Sequence, residues 1–109
     1  MRKGAEFEEL AVKYLEGLGY RILYRNYHCR TGEIDIIALD DKVVVFVEVK
    51  GGKTEGLGDP VERMDRKKME RLLRCVEYYL HRHPAEDYRL DLVIIRGNNI
   101  EHIRGVELY

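Results

Sequence analysis

Residues 32–50, GEIDIIALDDKVVVFVEVK, decide how this chain folds, because they place charged groups where a buried strand is normally apolar. The stretch reads as two strands, 33–39 and 43–50, joined through Asp40 and Asp41 as turn residues. A turn symmetric about Asp40-Asp41 sets Leu39 against Lys42, Asp35 against Phe46 and Glu33 against Glu48. Strand alternation then sends Asp35, Phe46, Glu48 and Lys50 to one side and Ile34, Ile36, Val45, Val47 and Val49 to the other. Ile37, Leu39 and Val44 add further apolar positions, so both faces are largely apolar and the hairpin is expected to be covered on both. Asp35, Glu48 and Lys50 are the exceptions. An uncompensated buried charge costs roughly several kcal/mol, so these groups need each other, another partner or an ion. An odd-length turn would put Asp35 and Glu48 on opposite faces and dissolve the grouping.

The other residues set limits on what such a hairpin can belong to. A chain of 109 residues supports one core, and 1–109 is taken as a single domain. Its 45% hydrophobic and 36% charged content is that of a globular protein, and no apolar run approaches the ~20 residues of a membrane helix. The N-terminus MRKGAEFEEL lacks the apolar centre of a signal peptide, so a cytoplasmic location is expected. Serine is absent, which excludes serine-nucleophile chemistry. Cys29 and Cys75 have neither CxxC spacing nor a framework and are expected to be reduced thiols. A net charge of -1 is not a nucleic-acid-binding signature, so any such function must rest on how the charges are distributed.

In chain order, residues 4–18 form a helix whose stripe is Phe7, Leu10, Ala11, Tyr14, Leu15 and Leu18, ended by Gly17 and Gly19. Glu8 lies at the edge of that stripe and is the one acid of the helix able to lean inward. Residues 20–27 alternate as a strand, and 28–32 make a polar loop. His28 and Cys29, adjacent and without a second pair, are a poor zinc signal. Arg25, His28 and Arg30 are candidates for phosphate contact. Residues 51–60, GGKTEGLGDP, have no periodicity and read as a mobile loop beginning where Glu48 and Lys50 end. A second helix over 61–82 buries Val61, Leu72, Val76, Tyr79 and Leu80. Lys68 falls within its stripe and Arg71 at the margin, so both are candidates to reach inward. Strand 89–96 follows, with Asp91 as either a structural acid or a support for the site, then a Gly97-Asn98-Asn99 turn and an edge strand over 100–104. A helix between two strands implies a right-handed crossover and parallel pairing of 89–96 with 43–50. The predicted architecture is α/β, in the order αβββαββ, a mixed central sheet flanked by helices.

An Asp, a Glu and a Lys two positions beyond the Glu form a coherent catalytic set. Asp35 and Glu48, as diagonal neighbours roughly 7–8 Å apart at the backbone, would reach one ion. Hard oxygen ligands, with the Val49 carbonyl as a further donor, favour Mg²⁺ or Mn²⁺. Lys50 would orient or deprotonate a water, or neutralise charge on a phosphorane-like transition state. Such a centre hydrolyses phosphodiesters.

The same residues carry a family resemblance. Gly4, Glu8, Leu10-Ala11 and Tyr14-Leu15, then Gly19-Tyr20, Arg25-Asn26, Gly32-Glu33-Ile34-Asp35 with Ile37-Ala38, and residues 45–50, VFVEVK, resemble the YraN family of small bacterial proteins. Lys68, Arg71-Leu72 and Tyr79-Leu80 continue the match. Through that family the chain is similar to the PD-(D/E)XK nuclease superfamily. The resemblance implies a restriction-endonuclease-like fold akin to Holliday-junction resolvases. Asp35, Glu48 and Lys50 then fall at the core motif positions and Glu8 at the supporting glutamate of the first helix. Ile34 replaces the superfamily's proline, and Gly52, followed by Lys53, stands where relatives often carry a basic residue. Lys53 therefore joins Arg25, Arg30, Lys68 and Arg71 as a candidate substrate contact.

The expected function is a Mg²⁺- or Mn²⁺-dependent DNA endonuclease, with branched or damaged DNA as candidate substrates. A homodimer is the expected assembly, because so small a unit offers little contact surface alone. The alternative is a catalytically silent nucleic-acid-binding or scaffold protein of the same fold. The plainest reading is a buried salt-bridge cluster in an interaction domain.

Overall fold

The computed structural model describes residues 5–51 and 66–106. Two helices and five strands follow in the order α1 (Ala5–Gly17), β1 (Arg21–Cys29), β2 (Gly32–Asp40), β3 (Val43–Gly51), α2 (Arg66–Arg82), β4 (Tyr88–Arg96) and β5 (Asn99–Ile103). The sheet order is β1-β2-β3-β4-β5. The β3/β4 pair is parallel across the α2 crossover and the other three pairs are antiparallel. This is the expected restriction-endonuclease-like arrangement of a mixed sheet between helices. Of the loop expected over 51–60, residues 52–60 lie outside the described residues, as do Lys53 and the start of the second helix over 61–65. No helix among the described residues is long and apolar enough to cross a membrane.

Each face of the sheet has its own core. α1 covers Ile36, Ala38, Val45, Val47, Val93 and Ile95, and α2 covers Ile34, Ile37, Val44 and Phe46. The buried stripe of α1 is Glu8, Ala11, Val12 and Leu15, spaced at three, four and seven. It is turned from the expected stripe, leaving Leu10 and Leu18 exposed. Glu8 is thus on the buried face and not at its edge. The helix stops in a Schellman motif. Gly19 (φ 93°) takes the left-handed conformation, its N–H donates to the Glu16 carbonyl, and the Tyr20 N–H donates to that of Leu15 at 3.0 Å. A Cβ on Gly51 would clash with the near edge of the Phe7 ring. Only glycine lets the first turn of α1 close on the end of β3.

The hairpin register differs from the expected one. Asp40 pairs with Val43 and Ile37 with Phe46, so the turn is Asp41-Lys42, with Asp41 left-handed at φ 56°. The shift is two residues, an even number, which leaves the phase of β3 as expected: Val45 and Val47 pack under α1 and Phe46 under α2. Asp35 and Glu48 are consequently not diagonal neighbours. Continued one step past its last pair, Ile36 with Val47, the ladder would set them directly opposite. A second difference is that Cys29 and Cys75 form a disulfide with Cα atoms 5.6 Å apart. The expectation of free thiols fails because β1 runs to Cys29, on the side facing α2, where Cys75 is buried against the sheet. A sequence separation of 46 concealed that proximity.

Candidate active site at the fork of the sheet

β3 leaves one neighbour before the other. Its ladder with β2 ends at Ile36 and Val47, while its ladder with β4 continues through Glu48, Val49 and Lys50 to Gly51. The first residues of β2 pair only with β1, so the sheet forks at Asp35. Its carboxylate spans the fork, accepting the Val49 N–H at 2.8 Å.

Asp35 is also where the faces of β1 and β2 exchange. Side chains two apart on a regular strand share a face, yet Ile34 packs under α2 and Ile36 under α1. Opposite them on β1, Tyr27 joins the α2 layer and Arg25 reaches Glu9 of α1. Between lies Asn26, left-handed at φ 53°. This exchange of faces corrects the expectation that Ile34 and Ile36 share a face, and it brings side chains from both layers to one point.

Four carboxylates meet there. Ligand oxygens of Glu8, Glu33 and Asp35 lie within 4.8 Å of one another, and Glu48 borders Asp35 in a cleft of about 180 Å³ lined also by Gly32, Glu33, Lys68, Arg71 and Leu72. Lys68 Nζ is 3.1 Å from Glu48 and Lys50 Nζ is 3.7 Å from it. Lys68 stands one helical turn before Leu72 and two before Val76, which carries it into the cleft.

The uncharacterised protein family UPF0102 matches residues 7–95. The chain belongs to this family, the YraN family of the resemblance above. A UPF0102 protein of Sulfurihydrogenibium sp. (strain YO3AOP1) is 42% identical over 106 residues, covering 95% of this chain and 92% of its own. One from Thermotoga maritima is 43% identical over 104 residues, covering 94% of each. One from Mycolicibacterium vanbaalenii is 41% identical over 110 residues, covering 94% and 91%.

Crowding sets the electrostatics of the UPF0102 site. Burial first, then the Glu48 charge, with Glu8 and Glu33 adding, raise the Asp35 pKa to about 7 against the opposing Val49 hydrogen bond. Burial and the neighbouring Lys68 lower that of Lys50, against the pull of Glu48 and Asp35. Lys68 moves up: burial opposes its charge, but its hydrogen bond to Lys50 and the attraction of Glu48 outweigh that. Lys50 is therefore the ammonium of the pair that gives up its proton more readily.

The structure brings Glu8, Asp35, Glu48, Lys50, Lys68 and Arg71 together, with Val49 contributing backbone. Arg25 is not in the cleft lining and instead pairs with Glu9 at 2.9 Å on the exposed α1 side. Arg30 is exposed in the turn between β1 and β2. Glu33, used above only to mark register, is the residue sequence reasoning overlooked. Its place two before Asp35 was the available signal.

Proposed function

We propose that this protein hydrolyses DNA phosphodiester bonds with a Mg²⁺ or Mn²⁺ ion bound at the fork. The observation that carries the reading is the cluster of carboxylates. Oxygens of Glu8, Glu33 and Asp35 lie within 4.8 Å of one another with Glu48 beside Asp35, and burial and the Glu48 charge raise the Asp35 pKa to about 7. An all-oxygen donor set of this kind fits a hard divalent ion. Asp35, Glu8, Glu33 and Glu48 would hold it. The Val49 carbonyl is a further donor, since within a strand it points the same way as the N–H aimed at Asp35.

Such an ion, when bound, supplies a water of lowered pKa and neutralises phosphate charge. The chain's own groups do the rest. Lys50, whose pKa is lowered by burial and Lys68, would orient the attacking water or, in its neutral amine form, take that water's proton. Lys68 and Arg71 at the cleft wall hold non-bridging phosphate oxygens.

Titration calorimetry with Mn²⁺ on wild type and Glu48→Ala, paired with cleavage assays on linear, single-stranded and four-way-junction DNA, tests the reading. Wild type should bind near or below millimolar concentration and cut at least one substrate, and Glu48→Ala should lose about 10²-fold or more of the activity. Metal uptake and DNA retention without cutting would favour the catalytically silent alternative.

A further inference from the structure

The side of the sheet that carries the cleft also carries an array of aromatic rings that hydrolysis does not use. Tyr79 forms its floor. Against it, edge to face, stand Tyr24 at 5.8 Å and Tyr27 at 5.3 Å between ring centroids, while His83 lies tilted at 4.7 Å. Tyr27 continues to Tyr78 at 6.5 Å, and the Arg82 guanidinium lies 5.5 Å over the Tyr78 ring. Tyr24 and Tyr78 are 40% and 45% exposed, unusual for rings already packed into a cluster.

The charge beside the rings has one sign. On a helix advancing 100° per residue, Lys67, Arg71, Arg74, Tyr78 and Arg82 fall within a sector of about 80°. Glu70 and Glu77 fall outside it. All five residues of the sector are exposed. From Arg71 on the cleft wall the stripe runs about 16 Å to Arg82. On the strand side the array starts at Tyr27, which pairs with Ile34, the residue before Asp35. Cleft and array therefore adjoin along the groove where α2 meets β1, with the cations of α2 beside the rings.

Cations alone would suit the backbone of any nucleic acid. Exposed ring faces beside them suit unpaired bases, because bases within a duplex are already stacked on one another. We infer that the groove formed by Tyr24, Tyr27, Tyr78, Arg74 and Arg82 binds a few nucleotides of single-stranded DNA and leads that strand into the cleft. The inference rests on the phosphodiester reading of the cleft and names its substrate: a strand unpaired on at least one side of the bond cut.

Fluorescence anisotropy in EDTA, with no divalent ion present, tests it on labelled oligothymidylate and on a duplex of equal length. Wild type should prefer the single strand. Tyr78→Ala and Tyr24→Ala should each weaken that binding by about tenfold, while Tyr78→Phe, which keeps the ring, and Tyr88→Ala, an exposed tyrosine off the groove, should stay within about twofold. Arg74→Ala and Arg82→Ala should each lower the salt dependence by about one counterion. Equal or tighter duplex binding, or unchanged affinity in Tyr78→Ala, would overturn the inference. A protein that cut DNA with Mn²⁺ while its tyrosine variants bound normally would overturn this inference alone. One that bound the single strand through its tyrosines but took up no Mn²⁺ would overturn the hydrolytic reading alone.

Discussion

Asp91 and Asp35 are both aspartates on inner strands of one sheet, and their surroundings are opposite. Asp91 is fully buried and accepts from Arg89 Nε at 3.0 Å and Nη2 at 3.3 Å, His102 Nε2 at 2.7 Å and the Gly105 N–H at 3.0 Å. Arg89 goes on to the Tyr20 hydroxyl and to Asp40, and His102 Nδ1 shares a 3.2 Å hydrogen bond with the Tyr14 hydroxyl. The network fastens α1 and its terminus to β4 and β5. Asp35 accepts the Val49 N–H and faces Glu48, Glu8 and Glu33. Burial does not set the two aspartates apart. Their nearest charges do, cations for Asp91 and carboxylates for Asp35.

Breaking Asp91 should have the largest effect. Asp91→Ala removes the buried acceptor shared by the half-buried Arg89 and by His102 and should cost about 3–5 kcal/mol of stability, seen as a lower denaturation midpoint in urea. Asp35→Asn should move the other way. The native Asp35 pKa is about 7 against an ordinary 3.8, so between those values the folded chain holds a proton that the unfolded chain has released. The metal-free wild type therefore loses stability as pH rises through this window. Asparagine carries no charge to suppress and still accepts the Val49 N–H. At pH 8 without metal, Asp35→Asn should be more stable than wild type by about 2–4 kcal/mol, and the two should converge near pH 4.

Smaller changes sharpen the contrast. Gly51→Ala drives a methyl into the Phe7 ring and displaces the first turn of α1. A loss of about 1–3 kcal/mol is expected, with weaker Mn²⁺ affinity because Glu8 moves too. Arg25→Ala removes only an exposed ion pair with Glu9. It should change the urea midpoint by less than about 1 kcal/mol equivalent and leave metal affinity untouched.

Much of this was legible in the residues. The alternation of VVVFVEVK is regular, so the phase of Glu48 and Lys50 survived a register error of two. The spacing of Lys68 to Leu72 and Val76 correctly brought that lysine inward. The fork was not legible, because it depends on a left-handed Asn26 and on β3 keeping β4 after losing β2, neither of which leaves a period in the sequence. Glu33 was missed although its place two before Asp35 marked it. Asp41 and not Asp40 takes the left-handed turn position, leaving Asp40 free to meet Arg89 across the sheet. No local pattern distinguishes two adjacent aspartates for that choice. Exposure of Leu10 and Leu18 and the Cys29–Cys75 bond likewise arise from tertiary placement alone.

The claim that Asp35, held protonated by burial and its neighbouring carboxylates, is a metal ligand is tested most directly by counting protons as Mn²⁺ binds. Calorimetric titrations at pH 6 in two buffers of different ionisation enthalpy give that number. Binding should release close to one proton at pH 6 and almost none at pH 9, with affinity rising between them. Equal proton counts at both pH values, or no uptake of Mn²⁺ at either, would contradict it.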